Sequence, residues 1–413
     1  MNFEELCTFE VLYNAYRTAR SGKRNKVGTA QYEATALAST ERLAYLLLSG
    51  KYHPSKFETF TVYEPKKRLV QAPAFVDKVV QHALVDNILY DEITRSFIQD
   101  SYASQIWKGM HFGLNRLESQ MQDYFLKRKG HDEAARRAAG LPHRPIEEWD
   151  YAEGWVLKAD VRHFFASIDH DILKQKLARK VEDPQVYRLM CAYIDSTSGL
   201  PLGYQTSQLL ALMFLDEFDH WVKERLHARY YGRYMDDFYI IHESKEYLQD
   251  CWRKISGQMD SLKLELNEKT GIFPLRNGLN FLGFHTYLTE TGGTVQKLRR
   301  DSAKRMKARI RKWRYDAQQG TLDRERARLS WEAWDAHAAR GDTFNLRKKI
   351  AAQVSEVLGT PAPQGSRSGT GSMTRQKTSC ANYIVNAGGQ RNRNPRYRKA
   401  SCGEILTFKG GKR

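Results

Sequence analysis

The sequence predicts an α+β protein of two or three domains. The chain has 413 residues, of which 41% are hydrophobic and 12% aromatic, enough for a large core. Segments with helical spacing of apolar residues alternate with short runs rich in β-branched and aromatic residues. From about residue 297 the composition shifts to basic helical runs, which indicates a separate region.

In the first part of the chain, residues 1–50 are predicted to be mostly helical, with Gly50 as the stop. Residues 57–65 alternate as a strand that Pro65 ends, and 66–73 continue this hairpin. Residues 75–94 have helical spacing. Residues 127–150 are charged and interrupted by Pro and Gly, so the sequence predicts an exposed inserted loop there.

The second part alternates strands and helices around a hairpin that reads RYMDDFYIIH at 233–242. The predicted elements are a buried strand at 154–161, a capped helix at 169–181, a loop at 198–208 that leads into an apolar helix, a helix at 247–262, and strand-like segments at 263–273 and 278–288.

The charge and the cysteines restrict the class of protein. The net charge of +18 indicates a polyanionic partner, although a merely basic enzyme would also have it. Five dispersed cysteines without zinc-type spacing fit reduced thiols. The N-terminus carries acidic residues and lacks the features of a secretion signal, and no apolar run is long enough to span a bilayer. We therefore expect a cytoplasmic protein.

Two adjacent aspartates, Asp236 and Asp237, interrupt the apolar hairpin. Carboxylates held about 4 Å apart in a partly buried site repel each other unless a cation lies between them, and Mg²⁺ prefers carboxylate and phosphate oxygens. Asp160 ends the earlier strand. Three carboxylates on adjacent strands could hold two metal ions for phosphoryl transfer. Side-chain alternation suggests that Asp236 is better aimed at the metals than Asp237. The alternative is a helix cap at Asp160 and an ordinary turn at the pair.

These motifs resemble reverse transcriptases. YMDD with the upstream ADVRHFFASID resembles their palm. Further blocks follow the family's order: YEPKKRLVQAP and DKVVQHAL, SYASQIWKGMHFGL, GLPLGYQTSQ, LNEKTG and NFLGF. The resemblance covers roughly residues 10–350 and implies a right-hand polymerase that performs RNA-directed DNA synthesis. It implies two Mg²⁺ ions, which Mn²⁺ can replace, and as partners a structured template RNA, a DNA or RNA primer with its cDNA product, and dNTPs.

The resemblance also divides the chain. The expected parts are an N-terminal helical segment at 1–56, fingers at 57–153 with the inserted loop at 127–150, a palm at 154–296, a helical thumb at 297–358 and a flexible basic tail at 359–413. The tail is similar to arginine-rich RNA-binding segments. No RNase H or endonuclease module is expected.

The resemblance to reverse transcriptases implies a role for each of several residues. Asp160, Asp236 and Asp237 are the expected catalytic residues, and with Val161 they form the metal set. Phe165 is expected to exclude a 2′-hydroxyl. The other expected nucleotide contacts are Lys67, Arg68, Leu202, Gly203, Gln208 and Lys269, and the expected primer grip is Phe281, Leu282, Gly283 and Phe284. The alternative is a core phenylalanine for Phe165 and ordinary surface charges for the lysines and Arg68.

A basic helical face in the thumb is expected to track nucleic-acid phosphates. It consists of Arg299, Arg300, Lys304, Lys307, Arg311 and Lys312. A solvated face without a partner is the alternative.

Leu202 indicates the subtype. Retroviral and most group II intron enzymes have Gln at this place, whereas an aliphatic residue followed by Ser207-Gln208 is typical of diversity-generating retroelements, whose enzymes make errors at adenines and bind a small helical accessory protein. Loss of one polar contact to the nucleotide would cost about 1 kcal/mol of discrimination. The alternatives are a reverse transcriptase of anti-phage defence, an intron or retron enzyme, a ribonucleotide polymerase, which Phe165 disfavours, and a non-catalytic RNA-binding scaffold.

Overall fold

The computed structural model describes residues 1–63 and 68–359. They divide into two compact units, one formed by Met1–Lys56 with Pro73–Leu84 and the other within Phe57–Ala72 and 85–359. The expected contact Lys67 and the basic tail beyond Gly359 lie outside the described residues. No helix in the described ranges is both long enough and apolar enough to cross a membrane.

The first unit is helical. Its helices are Phe3–Leu6 (α1), Phe9–Ala19 (α2), Val27–Ala34 (α3), Ala36–Leu48 (α4) and Phe75–Leu84 (α5). The rings of Tyr16, Tyr32 and Phe75 pack together with centroids 5.2–6.3 Å apart. The sequence analysis placed residues 75–84 in the fingers, but α5 clusters with the N-terminal helices, because these aromatic contacts depend on tertiary packing rather than on local pattern.

The second unit begins with an antiparallel hairpin of Glu58–Val62 (β1) and Arg68–Ala72 (β2). Three helical segments follow: a π-helix at Val85–Leu89, Tyr90–Thr94 (α6) and Met110–Ala138 (α7). The helix predicted over 75–94 is therefore α5, this π-turn and α6. Helix α7 shows that the predicted loop at 127–150 is wrong for 127–138.

The remainder of that insertion folds back on α7. Arg144 pairs with Asp132 at 3.0 Å and with Asp150 at 3.2 Å, and the Tyr151 hydroxyl donates to Asp132 at 2.5 Å. A 3-10 turn occupies Ile146–Glu148. The stretch DEAARRAA has high helix propensity but few apolar residues, so propensity and ion pairs, rather than an apolar stripe, extend the helix.

A four-stranded antiparallel sheet forms the centre of the second unit. Its strands are Trp155–Asp160 (β3), Tyr230–Tyr234 (β4), Asp237–His242 (β5) and Gly271–Pro274 (β6), in the order β4-β5-β3-β6. Only residues 271–273 of the strand-like segment 263–273 join the sheet, and Pro274 extends the strand by one residue. The helices beside the sheet are Phe164–Ser167 (α8), His170–Ala178 (α9), Pro184–Ile194 (α10), Gln205–Phe214 (α11), Asp216–Glu224 (α12) and Lys245–Ser261 (α13).

A second antiparallel sheet and three helices complete the described chain. A 3-10 turn at Leu275–Asn277 precedes the strands Leu279–Phe281 (β7), Phe284–Leu288 (β8) and Thr294–Leu298 (β9); the helices are Arg300–Gln318 (α14), Arg324–Ala338 (α15) and Phe344–Leu358 (α16). The helices bury a shared core that includes Ile310, Trp331, Trp334 and Ile350. These elements and the first sheet give the α+β fold of a right-hand polymerase.

Candidate active site

The YMDD segment is a tight hairpin. Tyr234 and Asp237 are cross-strand partners, so Met235 and Asp236 form a two-residue turn between β4 and β5. Met235 has a φ of 56°, and Asp236 has a negative φ, which is the pattern of a type II′ turn. The aromatic and β-branched flanks form the two buried strands, and the turn places both aspartates at the end of the sheet.

Strand β3 brings Asp160 to the same place. Asp160 and Asp237 are register partners, and the Val161 amide donates to the carbonyl of Asp236 at 3.1 Å. The prediction that the three aspartates come together on neighbouring strands therefore agrees with the register. The alternation argument for Asp236 does not hold, since Asp236 lies in the turn and Asp237 shares a sheet face with Asp160.

Asp160 and Asp236 interact electrostatically. Burial raises the pKa of Asp236, and the negative charge of Asp160 raises it further, while Arg68 and Lys158 lower it. Asn267 holds Asp160 from the other side: its backbone amide donates to the Asp160 carbonyl at 2.7 Å, and its side chain donates to Oδ1 at 3.4 Å. Two half-buried carboxylates, one of which raises the pKa of the other, are a candidate site for a cation.

Asp237 has a different partner. The buried Lys158 ammonium pairs with Asp237 Oδ1 and lies 4.9 Å from the ring centroid of Phe281. Burial lowers the pKa of Lys158 to about 7, although Asp160 and Asp236 raise it. Within residues 1–63 and 68–359, no group of three or more Asp, Glu, His or Cys side chains is arranged to hold a metal ion, so the metal set of Asp160, Asp236 and Asp237 stays a prediction.

Asp160 and Asp236 could together hold a magnesium ion. Mg²⁺ is commonly held by one or two carboxylates together with water and substrate phosphates. Asp160 and Asp236 supply two oxygen ligands next to the positively charged Arg68. Val161, which was expected in the metal set, is buried and gives its backbone amide to Asp236.

Phe165 and the loop before α11 lie against each other. Phe164 is buried, whereas Phe165 is half-buried, which agrees with assigning the core role to the former and a contact role to the latter. The Leu200 amide donates to the Phe165 carbonyl at 2.7 Å, so this loop is tied to α8. Leu202, at the tip of the loop, is 41% exposed.

Gly203 joins this loop to the β1–β2 hairpin. A Cβ atom at Gly203 would lie 2.0 Å from the Gln71 carbonyl oxygen, so only glycine allows the observed approach. The exposed Gln208 accepts a hydrogen bond from the Ser104 hydroxyl at 2.7 Å. Arg68 is exposed on the same hairpin. The structure therefore places Gly203 of the loop against the hairpin that carries Arg68.

Lys269 is exposed, and its amide donates to the Asn267 side chain at 3.0 Å. Asn267 in turn contacts Asp160, so the NEKTG segment is anchored at the carboxylate pair. This places Lys269 within two residues of a direct Asp160 contact.

The FLGF segment forms the turn between β7 and β8. Phe281 and Phe284 are cross-strand partners, and the turn residues Leu282 and Gly283 have φ values of 50° and 86°. Phe281 packs on Tyr239 of β5 with ring centroids 5.1 Å apart. A Cβ at Gly283 would be 3.2 Å from His337 of α15, so glycine serves both the turn and the close approach. The FLGF turn is thus fixed against the YMDD hairpin.

The expected basic face is on the solvent side of α14. Met306, Ile310 and Trp313 are buried, and all six expected basic residues are exposed. Arg299 pairs with Asp301 at 3.0 Å. Among the described residues, Lys304, Lys307, Arg311 and Lys312 form no ion pair, so their charges are available to an external anion.

Sequence reasoning missed three site residues. Lys158 reads as an ordinary polar position of an alternating strand, and its only signal was its place two residues before Asp160. Asn267 lies inside a block that was singled out for its lysine alone. Arg233 precedes YMDD and is fully buried with Asp219, a pairing between elements that no local pattern reveals.

The chain belongs to the reverse transcriptase family. The family model described as reverse transcriptase (RNA-dependent DNA polymerase) matches residues 64–286, more than half of the chain. That segment contains strand β2, all three aspartates and the FLGF turn. RNA-directed DNA polymerase is therefore the class of this enzyme.

The chain is similar to Protein YkfC of Escherichia coli strain K12, at 25% identity over 287 residues, which cover 57% of this chain and 68% of that protein. Its fold is similar to apo telomerase from Candida tropicalis, at 11% identity and a TM-score of 0.44, covering 74% of this chain. It is also similar to telomerase from Candida albicans in complex with a fragment of telomeric RNA, at 11% identity, a TM-score of 0.41 and 75% coverage. The match spans about three fifths of each telomerase chain, 59% and 60% respectively.

Proposed function

We propose that the chain copies a dedicated structured RNA into cDNA by two-metal nucleotidyl transfer. The observation that carries this proposal is the half-buried pair Asp160 and Asp236, in which partial burial and then the charge of Asp160 raise the pKa of Asp236. These carboxylates would hold Mg²⁺, or Mn²⁺ in its place, together with the triphosphate oxygens. Bound Mg²⁺ would activate the attacking 3′-hydroxyl and stabilise the leaving pyrophosphate.

Asp237 is proposed as the third carboxylate of the metal set. Its pairing with Lys158 fixes the first residue of β5 at the end of the sheet. Its register with Asp160 keeps the hairpin end aligned with β3.

The incoming dNTP is proposed to lie between the β1–β2 hairpin and the loop before α11. Arg68 supplies positive charge near Asp236, and Lys269 and Lys67 are proposed to contact the triphosphate. Phe165 is half-buried beside the loop and is proposed to exclude a 2′-hydroxyl. Gly203 and Gln208 shape the floor of this pocket.

Template and primer are proposed to bind along the FLGF turn and the exposed face of α14. The turn is held against Tyr239 and His337, which gives a rigid support for a primer end. Lys304, Lys307, Arg311 and Lys312 form no ion pair with the described part of the chain, and such free positive charge suits phosphates and gives affinity independent of sequence. The basic tail beyond Gly359 is proposed to bind the structured RNA.

Primer extension tests the chemistry. On a primed RNA template with dNTPs, Asp160→Asn and Asp236→Asn should each reduce extension by about 10³-fold or more, since several kcal/mol of transition-state stabilisation depend on the ligands. Asp250→Asn, in an exposed helical ion pair, is the matched control and should extend like the wild type. Extension that survives in both active-site variants would contradict the proposal and favour a non-catalytic RNA-binding scaffold.

The biological role proposed is that of the error-prone enzyme of a diversity-generating retroelement. The support is Leu202, which exposes an apolar side chain where a glutamine would offer a hydrogen bond to the nucleotide. Leu202→Gln should lower misincorporation at template adenines severalfold, measured by sequencing the cDNA. An unchanged error spectrum would refute this role of Leu202 and favour the defence-associated alternative. A small helical accessory protein is the proposed protein partner.

A further inference from the structure

The YMDD turn contains an unfavourable backbone conformation. Met235 is held at a φ of 56°, in the left-handed region, which favours glycine over a residue with a side chain. The following residue is Asp236, whose position decides whether a carboxylate faces Asp160. A turn of this kind persists only if surrounding contacts fix it.

Arg233 makes such a contact. Its Nη1 donates to the Met235 carbonyl at 2.8 Å, and the side chain is 1% exposed. Its other nitrogens grip Asp219 of α12 through two bonds, Nε to Oδ1 at 2.7 Å and Nη2 to Oδ2 at 2.5 Å. The planar guanidinium makes all three bonds at once, which a lysine ammonium cannot do.

Asp219 is itself fixed. It accepts a bond from the Tyr231 hydroxyl at 2.5 Å and is buried in α12. Arg233 is also tied by its backbone, since its amide donates to the Asp100 carbonyl at 2.9 Å and its carbonyl accepts from the Tyr102 amide at 3.0 Å. The Arg233–Asp219 pair thus connects α12 to the tip of the β4–β5 hairpin.

We propose that the ion pair Arg233–Asp219 is a positioning device that locks Met235 in its left-handed conformation and so aims Asp236 at Asp160. Asp236 is held on both sides of its backbone: Arg233 binds the carbonyl before it, and the Val161 amide binds its own carbonyl. The proposal rests on the proposed role of Asp236 in metal binding. Arg233 acts through Asp236 and touches no substrate.

The test is a double-mutant cycle in the full-length protein. It combines a substitution in the clamp, which is the Arg233–Asp219 pair, with a substitution of Met235 in the turn. Arg233→Lys should lower kcat about 10- to 100-fold and raise the Mg²⁺ concentration for half-maximal extension, because Asp236 is misplaced. Glycine accepts the left-handed conformation without the clamp, so in a Met235→Gly background the same substitution should cost at least about fivefold less.

Arg347→Lys is the matched control. Arg347 also bonds one carboxylate through two nitrogens, to Asp335 at 2.7 Å each, but this pair joins α16 to α15 rather than to the turn. It should lower the melting temperature without changing the Mg²⁺ requirement. If Arg233→Lys does not fold, Asp219→Asn serves in its place, with the same expected coupling to Met235→Gly.

The outcomes distinguish the positioning role of Arg233 from the proposed metal-binding role of Asp236. Equal costs of the clamp substitution in the wild-type and Met235→Gly backgrounds, or an unchanged Mg²⁺ requirement, would overturn the positioning role. Full activity of Asp236→Asn would instead overturn the proposed function, independently of the clamp. Coupling to the turn together with a raised Mg²⁺ requirement would support the proposal, because a merely structural role would move only the melting temperature.

Discussion

The close approach of Gly203 to β2 allows a sharp test of the nucleotide pocket. An alanine Cβ would lie 2.0 Å from the Gln71 oxygen, whereas an ordinary contact begins at about 3.4 Å. Gly203→Ala must therefore move the loop and the hairpin apart by more than about 1 Å. Overpacking of this kind costs about 1–3 kcal/mol, and a displacement of about 1 Å near a reacting centre lowers the rate about 100-fold.

The assay is single-nucleotide extension over a range of dNTP concentrations, with thermal unfolding measured in parallel. We expect Gly203→Ala to raise KM for the dNTP and to lower kcat, with a loss of stability at the low end of the stated range because the hairpin is exposed. Gly257→Ala is the control, since nothing lies within 4 Å of its Cβ position on α13 and alanine favours a helix by about 0.5–1 kcal/mol. Wild-type kcat and KM in Gly203→Ala would refute the contact between loop and hairpin.

Three further predictions follow from the site. Phe165→Ala should raise incorporation of ribonucleotides relative to dNTPs about 10- to 100-fold, whereas Phe164→Ala should lower the melting temperature without changing that ratio. Burial and Asp160 raise the pKa of Asp236, so protonation of Asp236 should begin to increase the Mg²⁺ requirement at a higher pH than for an ordinary aspartate with a pKa of 3.8. Arg68→Ala removes a charge that lowers this pKa and should move the effect to still higher pH. An unmoved pH profile would contradict that interaction. Lys307→Gln should reduce the salt dependence of template–primer binding by about one phosphate contact, a slope change of roughly 0.7–0.9, and an unchanged slope would leave Lys307 as a solvated charge.

The catalytic hairpin could be predicted because its signals are local. A continuous run of aromatic and β-branched residues defines β5, and a short apolar run before Asp160 defines β3, so two short runs suffice to bring three aspartates to one end of a sheet. The FLGF turn was likewise marked by a glycine between apolar residues. In these segments local preference and tertiary structure agree.

The rest depends on contacts between distant segments. Lys158 is polar within a strand, and only the register of β3 against β5 reveals that it lies beside Asp237. Helix α7 continues to Ala138 without an apolar stripe, and α5 joins the N-terminal helices through aromatic packing. Strand β9 follows two glycines and was not predicted, because this five-residue strand places the polar Gln296 on its buried face and so lacks a clear apolar alternation.

The central claim is that Asp160 and Asp236 together bind the metal that drives DNA synthesis. Its most direct test is Mn²⁺ binding measured by electron paramagnetic resonance, with primer extension on the same samples, for the wild type, Asp160→Asn and Asp236→Asn. The account predicts that each substitution weakens Mn²⁺ binding and abolishes extension in parallel. Undiminished Mn²⁺ binding and extension in either variant would contradict it.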